Sequence, residues 1–424
     1  MKLFSTDTIK DNKTYIELKD DAEKAKYFGS YINKILDVDN LIILAGSGTS
    51  LTFNVTGSAV IAPSMWDLWN SCKNDSESKF DEILELINYK QLQEEKVNQK
   101  NNEGENEIKP KPDIELLLSI CDSIVALGNL NQNDKKKVQD FVTNAKNIIL
   151  RETDFINKTN EEQWKTHNKF IRTFSRRNIK QKRLKLFTTN YDLAFENASS
   201  NTGTIIIDGF EYTNPSYFNP MWFNYDIVNR GLNQDKVAGY IPNVIQLYKI
   251  HGSIDWFKCE GRVSKITGKS LANVDLIYEP VFIYPSSNKF QKSYDSPYLD
   301  MMSAFLNALQ HPKTALLCLG FGFNDKHINN AITMALRTNP DFMLMVGTRN
   351  ISNDESSFNP QIKKLLETSI KNGDGRIALV DATFEEFVNA TPERRISSPE
   401  EQLFGKFEDV LSQVMNSESN TNAK

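Results

Sequence analysis

Cysteine and histidine are scarce in this 424-residue chain, which contains four of each. The cysteines lie far apart and form no CxxC pair; they are Cys72, Cys121, Cys259 and Cys318. The sequence therefore predicts no structural zinc site and no other metal centre. A reducing compartment is the simplest environment for so few thiol groups, so we expect a cytoplasmic protein.

Long hydrophobic runs are also missing from the sequence. No run of about 18 apolar residues occurs, so we expect no membrane span, and the opening MKLFSTDTIKDNKTY lacks the apolar core of a signal peptide. The net charge of −5 argues against a general nucleic-acid binder. The basic segment 172–185 is a local exception. A solvated linker is the favoured interpretation of it, and a contact surface for an acidic partner or nucleic acid is the alternative.

Strand-like and helical patterns alternate over much of the chain. Apolar runs occur at 41–44, 184–190, 204–208, 244–252, 281–285, 315–322, 342–347 and 376–382. Several are apolar on both faces, as strands covered by helices must be. This alternation predicts an α/β fold with a Rossmann-like, doubly wound parallel sheet.

The segment between the first strand and the later ones has a different character. Residues 64–183 carry helical spacing with almost no strand signal, which predicts a large helical insertion. We therefore expect a discontinuous Rossmann-like domain at 1–63 and 184–390 around an insertion module at 64–183. Inside the insertion, the polar stretch 98–113 predicts a mobile loop. Residues 391–424 predict a C-terminal helix and a disordered tail.

The stretch LIILAGSGTS, residues 41–50, runs from an apolar strand straight into a glycine-rich turn. Gly46 and Gly48 let the chain turn tightly or let a ligand approach its backbone. Thr49 and Ser50 can cap a following helix and offer hydroxyl groups beside it. The dinucleotide pattern G-x-G-x-x-G fails at its third glycine, and the Lys-Ser/Thr ending of a P-loop is missing. Taken alone, an ordinary strand-to-helix turn is as good an interpretation as a nucleotide site.

Three further strand-like runs end in polar residues, at the position where doubly wound folds bind ligands. They end in Thr188-Thr189-Asn190-Tyr191-Asp192, in His251-Gly252, and in Gly320 to Asp325. Each has an ordinary interpretation. Asn190 and Asp192 can form an Asx turn, and His251 can be a hydrogen-bonded residue of the sheet edge. The last turn can serve packing, with Asp325 as a helix cap. Their predicted convergence on one sheet edge favours a binding site.

The motifs AGSGTS, TTNYD, KIHGS and LGFGFND occur in that order. Together they resemble the sirtuin set of a glycine loop, a T-x-N-x-D segment, an H-G pair at a strand end and a later glycine loop. The chain is similar in particular to bacterial sirtuin-like NAD hydrolases of anti-phage defence. In those proteins a P-S-x-W-x-x-L stretch follows the glycine loop, and the similar stretch Pro63-Ser64-Met65-Trp66-Asp67-Leu68 stands here with a spacing one residue shorter before the leucine. The resemblance covers about residues 25–70 and 184–390.

This resemblance implies an NAD glycohydrolase that cleaves NAD to nicotinamide and ADP-ribose without a metal. It implies catalytic roles for Asn190, whose amide would hold a ribose hydroxyl and the water, and for His251, which would accept a proton. It further implies that the second turn approaches a ribose through Gly320 and Gly322, that Asp192 orients Asn190 or the nicotinamide carboxamide, and that Asp381 lies near the adenine side. The pyrophosphate would be held by backbone amides of the first turn, which are those of Gly46, Ser47, Gly48 and Thr49.

Two features of protein-deacylating sirtuins are missing from the sequence. Those enzymes carry two CxxC pairs on a zinc ribbon after the H-G strand, where only Cys259 stands here. The G-I-P-D-F-R segment after the glycine loop is also absent. Deacylation and ADP-ribosyl transfer therefore remain as alternative reactions. A non-catalytic, nucleotide-sensing assembly subunit remains as the alternative role.

The resemblance also implies partners. Stand-alone sirtuin-like defence proteins of about this size form large oligomers and are often paired with a hexameric HerA-type translocase ATPase. We recognise no ligand-sensing domain after residue 390, so the expected control of NAD consumption is such a partner or a homo-oligomer. We expect no membrane contact and no direct binding of nucleic acid.

Overall fold

The computed structural model describes residues 1–9, 14–54, 59–75, 79–89, 113–128, 130–178, 181–229, 239–259, 261–266, 279–282, 296–353 and 358–392. The loop predicted at 98–113, except its last residue, lies outside these ranges. The helix and tail predicted at 391–424 lie outside them from residue 393 on. Within the described ranges, no helix is long and apolar enough to cross a membrane.

A large mixed sheet forms the centre of the fold. The strands of the chain are β1 (Lys2–Phe4), β2 (Ile16–Glu17), β3 (Asn40–Ala45), β4 (Leu184–Thr188), β5 (Ile205–Ile207), β6 (Ser216–Tyr217), β7 (Val244–Lys249), β8 (Gly252–Cys259), β9 (Arg262–Lys265), β10 (Glu279–Phe282), β11 (Thr314–Leu319), β12 (Phe342–Thr348) and β13 (Ile377–Asp381). Nine of them form one sheet in the order β2-β1-β13-β12-β11-β3-β4-β7-β5. The strands from β13 to β5 run parallel, whereas β1 and β2 pair antiparallel at one edge. The predicted α/β, Rossmann-like fold is therefore confirmed.

The strands β1 and β2 are not predicted from the sequence, because the first strand-like run that it indicates is the one at 41–44. β1 spans three residues, too few to show a period, yet Leu3 and Phe4 are buried on opposite faces of the sheet. It pairs with β13 in the register Lys2↔Asp381. This long-range pairing, rather than the local sequence, makes the segment a strand.

A separate, antiparallel sheet of four strands has the order β10-β8-β9-β6. β8 begins directly after His251 and returns as β9 in a hairpin. The run at 281–285 supplies part of β10 to this sheet, so its prediction as a strand of the parallel sheet is wrong; residues 283–285 lie outside the described ranges. Pro280 explains the edge position of β10, because proline has no amide hydrogen for a second neighbouring strand.

Helices cover both faces of the main sheet, and a further group of helices lies in the chain after β3 and before β4. They are Asp21–Glu23, continued by π-helical Lys24–Gly29 into Ser30–Asp37; Ser47–Ser50; Met65–Asn74; Phe80–Leu86; Ile114–Leu127; Gln132–Thr153; Glu161–Ser175; Ala194–Asn201; Tyr298–Gln310; Lys326–Thr338; Pro360–Lys371; and Phe384–Ala390. Short 3-10 helices occur at Thr6–Thr8, Leu51–Phe53, Ile156–Lys158 and Pro220–Asn224.

The central strand β3 shows why continuous apolar runs form this sheet. Every residue of β3 is buried. Leu41 and Ile43 belong to the core on one face of the sheet, while Ile42 and Leu44 belong to the core on the other. Successive side chains of a strand point to opposite faces, so a strand between two helical layers must be apolar at every position.

The helices from 65 to 153 pack around a third core, which contains Leu118. Tyr191 and Ile254 join this core from segments at the edge of the main sheet. The next helix, Glu161–Ser175, instead packs in the core beside the main sheet. The helical group is therefore in contact with the segment that follows β4. The proposed domain limits at residues 63, 183 and 390 stay predictions.

The basic segment 172–185 is partly used within the fold. Arg177 is buried, and its guanidinium donates to the carbonyl oxygen of Leu36 at 2.6 Å. Arg183 forms an ion pair with Asp226 at 3.0 Å. These basic side chains hold neighbouring segments together, and the burial of Arg177 does not fit a fully solvated linker. The alternative, a contact surface for an acidic partner or nucleic acid, stays a prediction.

Candidate active site

Two glycine turns, after β3 and after β11, pack backbone against backbone. Gly46 N donates to Leu319 O at 2.9 Å, and Gly48 N donates to Gly320 O at 3.0 Å. A Cβ atom on Gly48 would lie 2.7 Å from Gly320 Cα, and one on Gly320 would lie 2.6 Å from Thr49 N. Gly320 also has a φ of +58°, which other residues rarely adopt. Glycine is required at these positions because no side chain fits between the turns.

The backbone amides of the first turn are largely used inside the protein. Besides the two bonds to the second turn, Thr49 N donates to Gly46 O at 3.0 Å. The expectation that all these amides hold a pyrophosphate therefore does not fit the structure, because an N–H group that already donates to a carbonyl is not free for a phosphate oxygen. Ser47 differs: its side chain is exposed, and its amide donates to no described residue.

Asn190 lies just beyond the end of β4 and ties its loop to the first turn. Its Nδ2 atom lies 3.1 Å from Gly46 O, 3.2 Å from Thr49 Oγ1 and 2.9 Å from Ser50 Oγ. The residue is 8% exposed, and its Oδ1 accepts no hydrogen bond from the part of the chain that the structure describes. The amide is therefore anchored through nitrogen, and its carbonyl oxygen remains available to a ligand.

Asp192 reaches Asn190 through a hydroxyl group. Ser50 Oγ donates to Asp192 Oδ2 at 2.7 Å while it accepts from the Asn190 amide. The other carboxylate oxygen accepts from Ala194 N at 3.0 Å. Ser50 is absent from the predicted site residues. Its position directly after the glycine turn is a signal for it, but only the tertiary structure brings Asp192 to the same hydroxyl.

His251 follows β7 and forms a buried pair with Asp325. The distance from His251 Nε2 to Asp325 Oδ2 is 3.2 Å, and both residues are 5% exposed. Asp325 also caps the helix Lys326–Thr338, as predicted, because its Oδ1 accepts from His327 N at 2.8 Å and Ile328 N at 3.1 Å. Burial opposes ionisation of Asp325, but the hydrogen bonds from His251 and from these amides outweigh it and lower the pKa of its carboxyl group.

Lys249, at the end of β7, holds the loop that carries Asn190. Its buried ammonium group donates to the carbonyl oxygens of Tyr191 and Asp192 and forms an ion pair with Glu196 at 3.0 Å. Burial raises the pKa of Glu196, and the charge of Lys249 acts against that rise. Sequence reasoning does not identify Lys249, since a lysine inside an apolar strand run gives no sign of which loop it reaches.

The remaining predicted residues lie at the same sheet edge but apart from this group. Gly322 O accepts from Asn359 N at 2.9 Å, so this part of the second turn holds the start of another helix. Asp381 ends β13, which β12 and β11 separate from β3. Its carboxylate accepts from Asn350 N at 2.7 Å and from Ser352 N at 3.2 Å. The structure thus does not bring Asp381 into contact with Asn190 or His251.

An open groove of about 470 Å³ lies elsewhere, between the helices Met65–Asn74 and Gln132–Thr153. Its lining includes Asp67, Asn70 and Arg151, and none of the predicted site residues belongs to it. No group of three or more His, Cys, Asp or Glu side chains within the described ranges is placed to hold a metal ion. The groups that meet at the sheet edge are amide, imidazole, hydroxyl and carboxylate groups.

Residues 184–368 match the family model of the SIR2-like domain, and this segment contains Asn190, His251 and Asp325 but not the first glycine turn. Comparison with curated proteins gives no match. This match supports a sirtuin-like protein and, in a general sense, NAD-dependent activity.

Proposed function

We propose that the chain is an NAD glycohydrolase that cleaves NAD to nicotinamide and ADP-ribose. The observation that carries this proposal is the placement of Asn190 and His251 at the ends of the adjacent strands β4 and β7. Each side chain is anchored through one nitrogen, and neither Asn190 Oδ1 nor His251 Nδ1 has a partner among the described residues. These two groups lie at the edge where Rossmann-like sheets bind nucleotides.

The chemistry sets what the site must supply. Hydrolysis breaks the bond between ribose C1′ and the ring nitrogen of nicotinamide. This nitrogen is cationic in NAD and leaves with the bonding electrons as a neutral group, so it needs no proton from the protein. The site must orient the ribose, stabilise its developing positive charge and direct a water molecule to the opposite face of C1′.

The anchored side chains fit these tasks. Asn190 orients a ribose hydroxyl and the attacking water through Oδ1, because its Nδ2 is held by the first turn. His251 accepts a proton from the water or from a ribose hydroxyl, and help of this kind accelerates a reaction by about 10²–10⁴. Asp192 maintains the position of the Asn190 amide through Ser50. No metal is required for these roles.

The other contacts to NAD belong to the two turns and to the far end of the sheet edge. Ser47 offers an exposed hydroxyl and its amide to the diphosphate, while Gly46, Gly48 and Thr49 shape the turn. Gly320 and Gly322 keep the second turn close to a ribose. Asp381 is the proposed residue for the adenine side, on the condition that a ribose hydroxyl replaces one of its present hydrogen bonds.

The biological proposal follows from the motif resemblance described above. We propose that the chain depletes NAD in the cytoplasm during anti-phage defence. It would act as a homo-oligomer and together with a hexameric HerA-type ATPase. Size-exclusion chromatography of the full chain, alone and mixed with such an ATPase, tests the assembly. Elution as a monomer in both experiments contradicts the proposed assembly but leaves the proposed reaction open to its own test.

The reaction is tested by incubating the purified full chain with NAD and separating the products by chromatography. We expect nicotinamide and ADP-ribose in equal amounts from the wild type. Asn190→Ala and His251→Ala should each lower turnover by about 10² or more while the protein remains folded. Asn133→Ala, on an exposed helix surface, is the matched control and should keep wild-type turnover.

The products also separate the competing reactions. An acylated lysine peptide consumed together with NAD indicates deacylation, and ADP-ribose attached to protein indicates transfer. Wild-type turnover in pure Asn190→Ala would contradict the proposed site. No turnover by the wild type, alone or with the ATPase partner, would contradict the proposed reaction and favour the non-catalytic assembly subunit.

A further inference from the structure

The pair between His251 and Asp325 fixes more than the direction of the imidazole ring. Asp325 uses its two carboxylate oxygens for different partners: Oδ1 accepts the amides of His327 and Ile328, and Oδ2 faces His251 Nε2 at 3.2 Å. The carboxylate cannot rotate without losing the helix cap. Asp325 is therefore a rigid, buried acceptor aimed at one nitrogen of the ring.

An ionised carboxylate can only accept hydrogen bonds, so its partner atom must carry the proton. The lowered pKa of Asp325 keeps its carboxyl group ionised near neutral pH. His251 Nε2 then carries hydrogen, and in the neutral ring Nδ1 is the nitrogen with a free electron pair. Nδ1 has no hydrogen-bond partner among the described residues and is not fully enclosed.

We propose that Asp325 is a positioning residue that holds His251 in the Nε2–H tautomer and so makes Nδ1 the atom that accepts the proton. This inference rests on the proposed function. In the step, the water oxygen bonds to ribose C1′ as nicotinamide leaves with its electron pair, and the water proton passes to Nδ1. The imidazolium that forms keeps its Nε2–H bond to Asp325, whose negative charge stabilises it.

The substitution Asp325→Asn tests this role with little change to the fold. Asparagine is as good a helix N-cap as aspartate, so its Oδ1 can replace the capping oxygen at the helix Lys326–Thr338. The cap amides then place the asparagine Nδ2 against His251 Nε2. Because this NH₂ group can only donate, neutral His251 must adopt the opposite tautomer, with hydrogen on Nδ1 and no free electron pair there.

Two measurements on the full chain are compared. The tautomer is read by two-bond ¹H–¹⁵N NMR of protein labelled at its four histidines, with His251→Gln identifying the His251 signals. We expect Nε2–H in the wild type and Nδ1–H in Asp325→Asn. In the same proteins, kcat for NAD hydrolysis should fall by about 100-fold or more, with KM little changed. The matched control is Asp20→Asn, which makes the same substitution at the N-cap of the first helix and should change neither readout.

The two proposals fail in different ways. An Nδ1–H tautomer in wild-type His251, or wild-type kcat in Asp325→Asn, overturns the role of Asp325 even if NAD hydrolysis is confirmed. Absence of NAD turnover by the wild type, both alone and with the ATPase partner, together with the expected tautomers, overturns the proposed reaction while the positioning of His251 stands. If Asp325→Asn unfolds at a lower temperature than Asp20→Asn, the folding of the double variant Asp325→Glu/His251→Gln is first compared with that of His251→Gln. Only then is a change in kcat assigned to the tautomer. A wild-type kcat in Asp325→Asn still overturns the role.

Discussion

His167 shows how much one side chain can determine at the scale of the residue. It is completely buried, stacks on Phe53 at a ring distance of 4.5 Å and lies 5.1 Å from the ring of Phe384. Neither of its ring nitrogens has a hydrogen-bond partner among the described residues. Burial lowers the pKa of His167 to about 3, so the folded protein holds it as a neutral aromatic ring near pH 7.

We expect mild acid to destabilise the protein through His167. The unfolded chain protonates this residue below about pH 6.5, whereas the folded protein does so only near pH 3. The unfolded state therefore binds more protons in this window, and stability falls as the pH drops through it. From pH 7 to pH 5 the expected loss from this residue is about 2 kcal/mol in the free energy of unfolding, measured by urea titration at both pH values.

The variant His167→Phe isolates this effect. It keeps the stacked ring and removes the unpartnered nitrogens, so we expect it to be about 1 kcal/mol more stable than the wild type at pH 7 and to lose less stability at pH 5. The exposed residue His327 offers a control, because His327→Gln should retain the wild-type loss. Equal losses in His167→Phe and the wild type would show that another group causes the acid sensitivity.

At the scale of the element, Lys249 joins strand β7 to the loop after β4. The loop carries Asn190 and the strand leads into His251, so the two proposed catalytic residues depend on this connection. Both segments lie at the carboxyl edge of the sheet, but sheet pairing ends at Thr188 and Lys249. Beyond that point, the Lys249 ammonium group and separate backbone hydrogen bonds, such as the one from Ile254 N to Tyr191 O at 3.1 Å, hold the loop.

We expect Lys249→Met to lower the free energy of unfolding by about 3 kcal/mol, because it leaves the buried carboxylate of Glu196 without its cation. NAD turnover should also fall, since the carbonyl oxygens of Tyr191 and Asp192 lose the Lys249 ammonium group as a donor. Denaturant unfolding and a turnover assay measure the two effects.

The double variant Lys249→Met/Glu196→Gln separates these effects. A neutral glutamine removes the unpaired charge, so stability should recover in part, whereas turnover should stay low because the loop still lacks its contacts with Lys249. Full recovery of turnover in the double variant would contradict the role of Lys249 in holding the loop. Unchanged stability in Lys249→Met would contradict the proposed cost of the unpaired carboxylate.

At the scale of the whole molecule, the core of the helical group reaches the candidate site. Tyr191 lies between Asn190 and Asp192 in the chain, and it is buried in the core that contains Leu118. Its hydroxyl donates to Glu115 Oε1 at 2.8 Å. The helices that follow β3 and precede β4 in the chain therefore support, by their packing, the loop that carries Asn190.

We expect Leu118→Ala to lower the free energy of unfolding by about 2–5 kcal/mol, since Leu118 is fully buried and the substitution leaves a cavity. At temperatures where the variant remains folded, turnover should also fall because Tyr191 loses part of its support. Leu127→Ala is the control on the same helix, because Leu127 is 71% exposed and should tolerate the change. Thermal unfolding and NAD turnover are measured for both variants. Full turnover in folded Leu118→Ala would show that the helical group does not support the site.

The sequence determines the nature of the fold and the composition of the sheet edge. Apolar runs such as 41–44 and 315–322 predict strands buried on both faces, because a layer of helices on each side excludes polar residues from them. The polar residues that follow these runs predict where Asn190 and His251 lie, since parallel strands bring their carboxyl ends to one edge. These properties are local or periodic, and the linear sequence contains them.

Only the tertiary structure decided which atoms meet. Contacts between distant segments place β1 and β2 at the edge of the main sheet and form the second sheet. In the same way, Lys249 contacts the loop that carries Asn190, and His251 pairs with Asp325. It also decided that Gly46, Gly48 and Gly320 fit turn against turn rather than leaving their amides free. A sequence specifies residue types and periods, but hydrogen-bond partners depend on distances of a few tenths of an ångström that the packing of the whole chain sets.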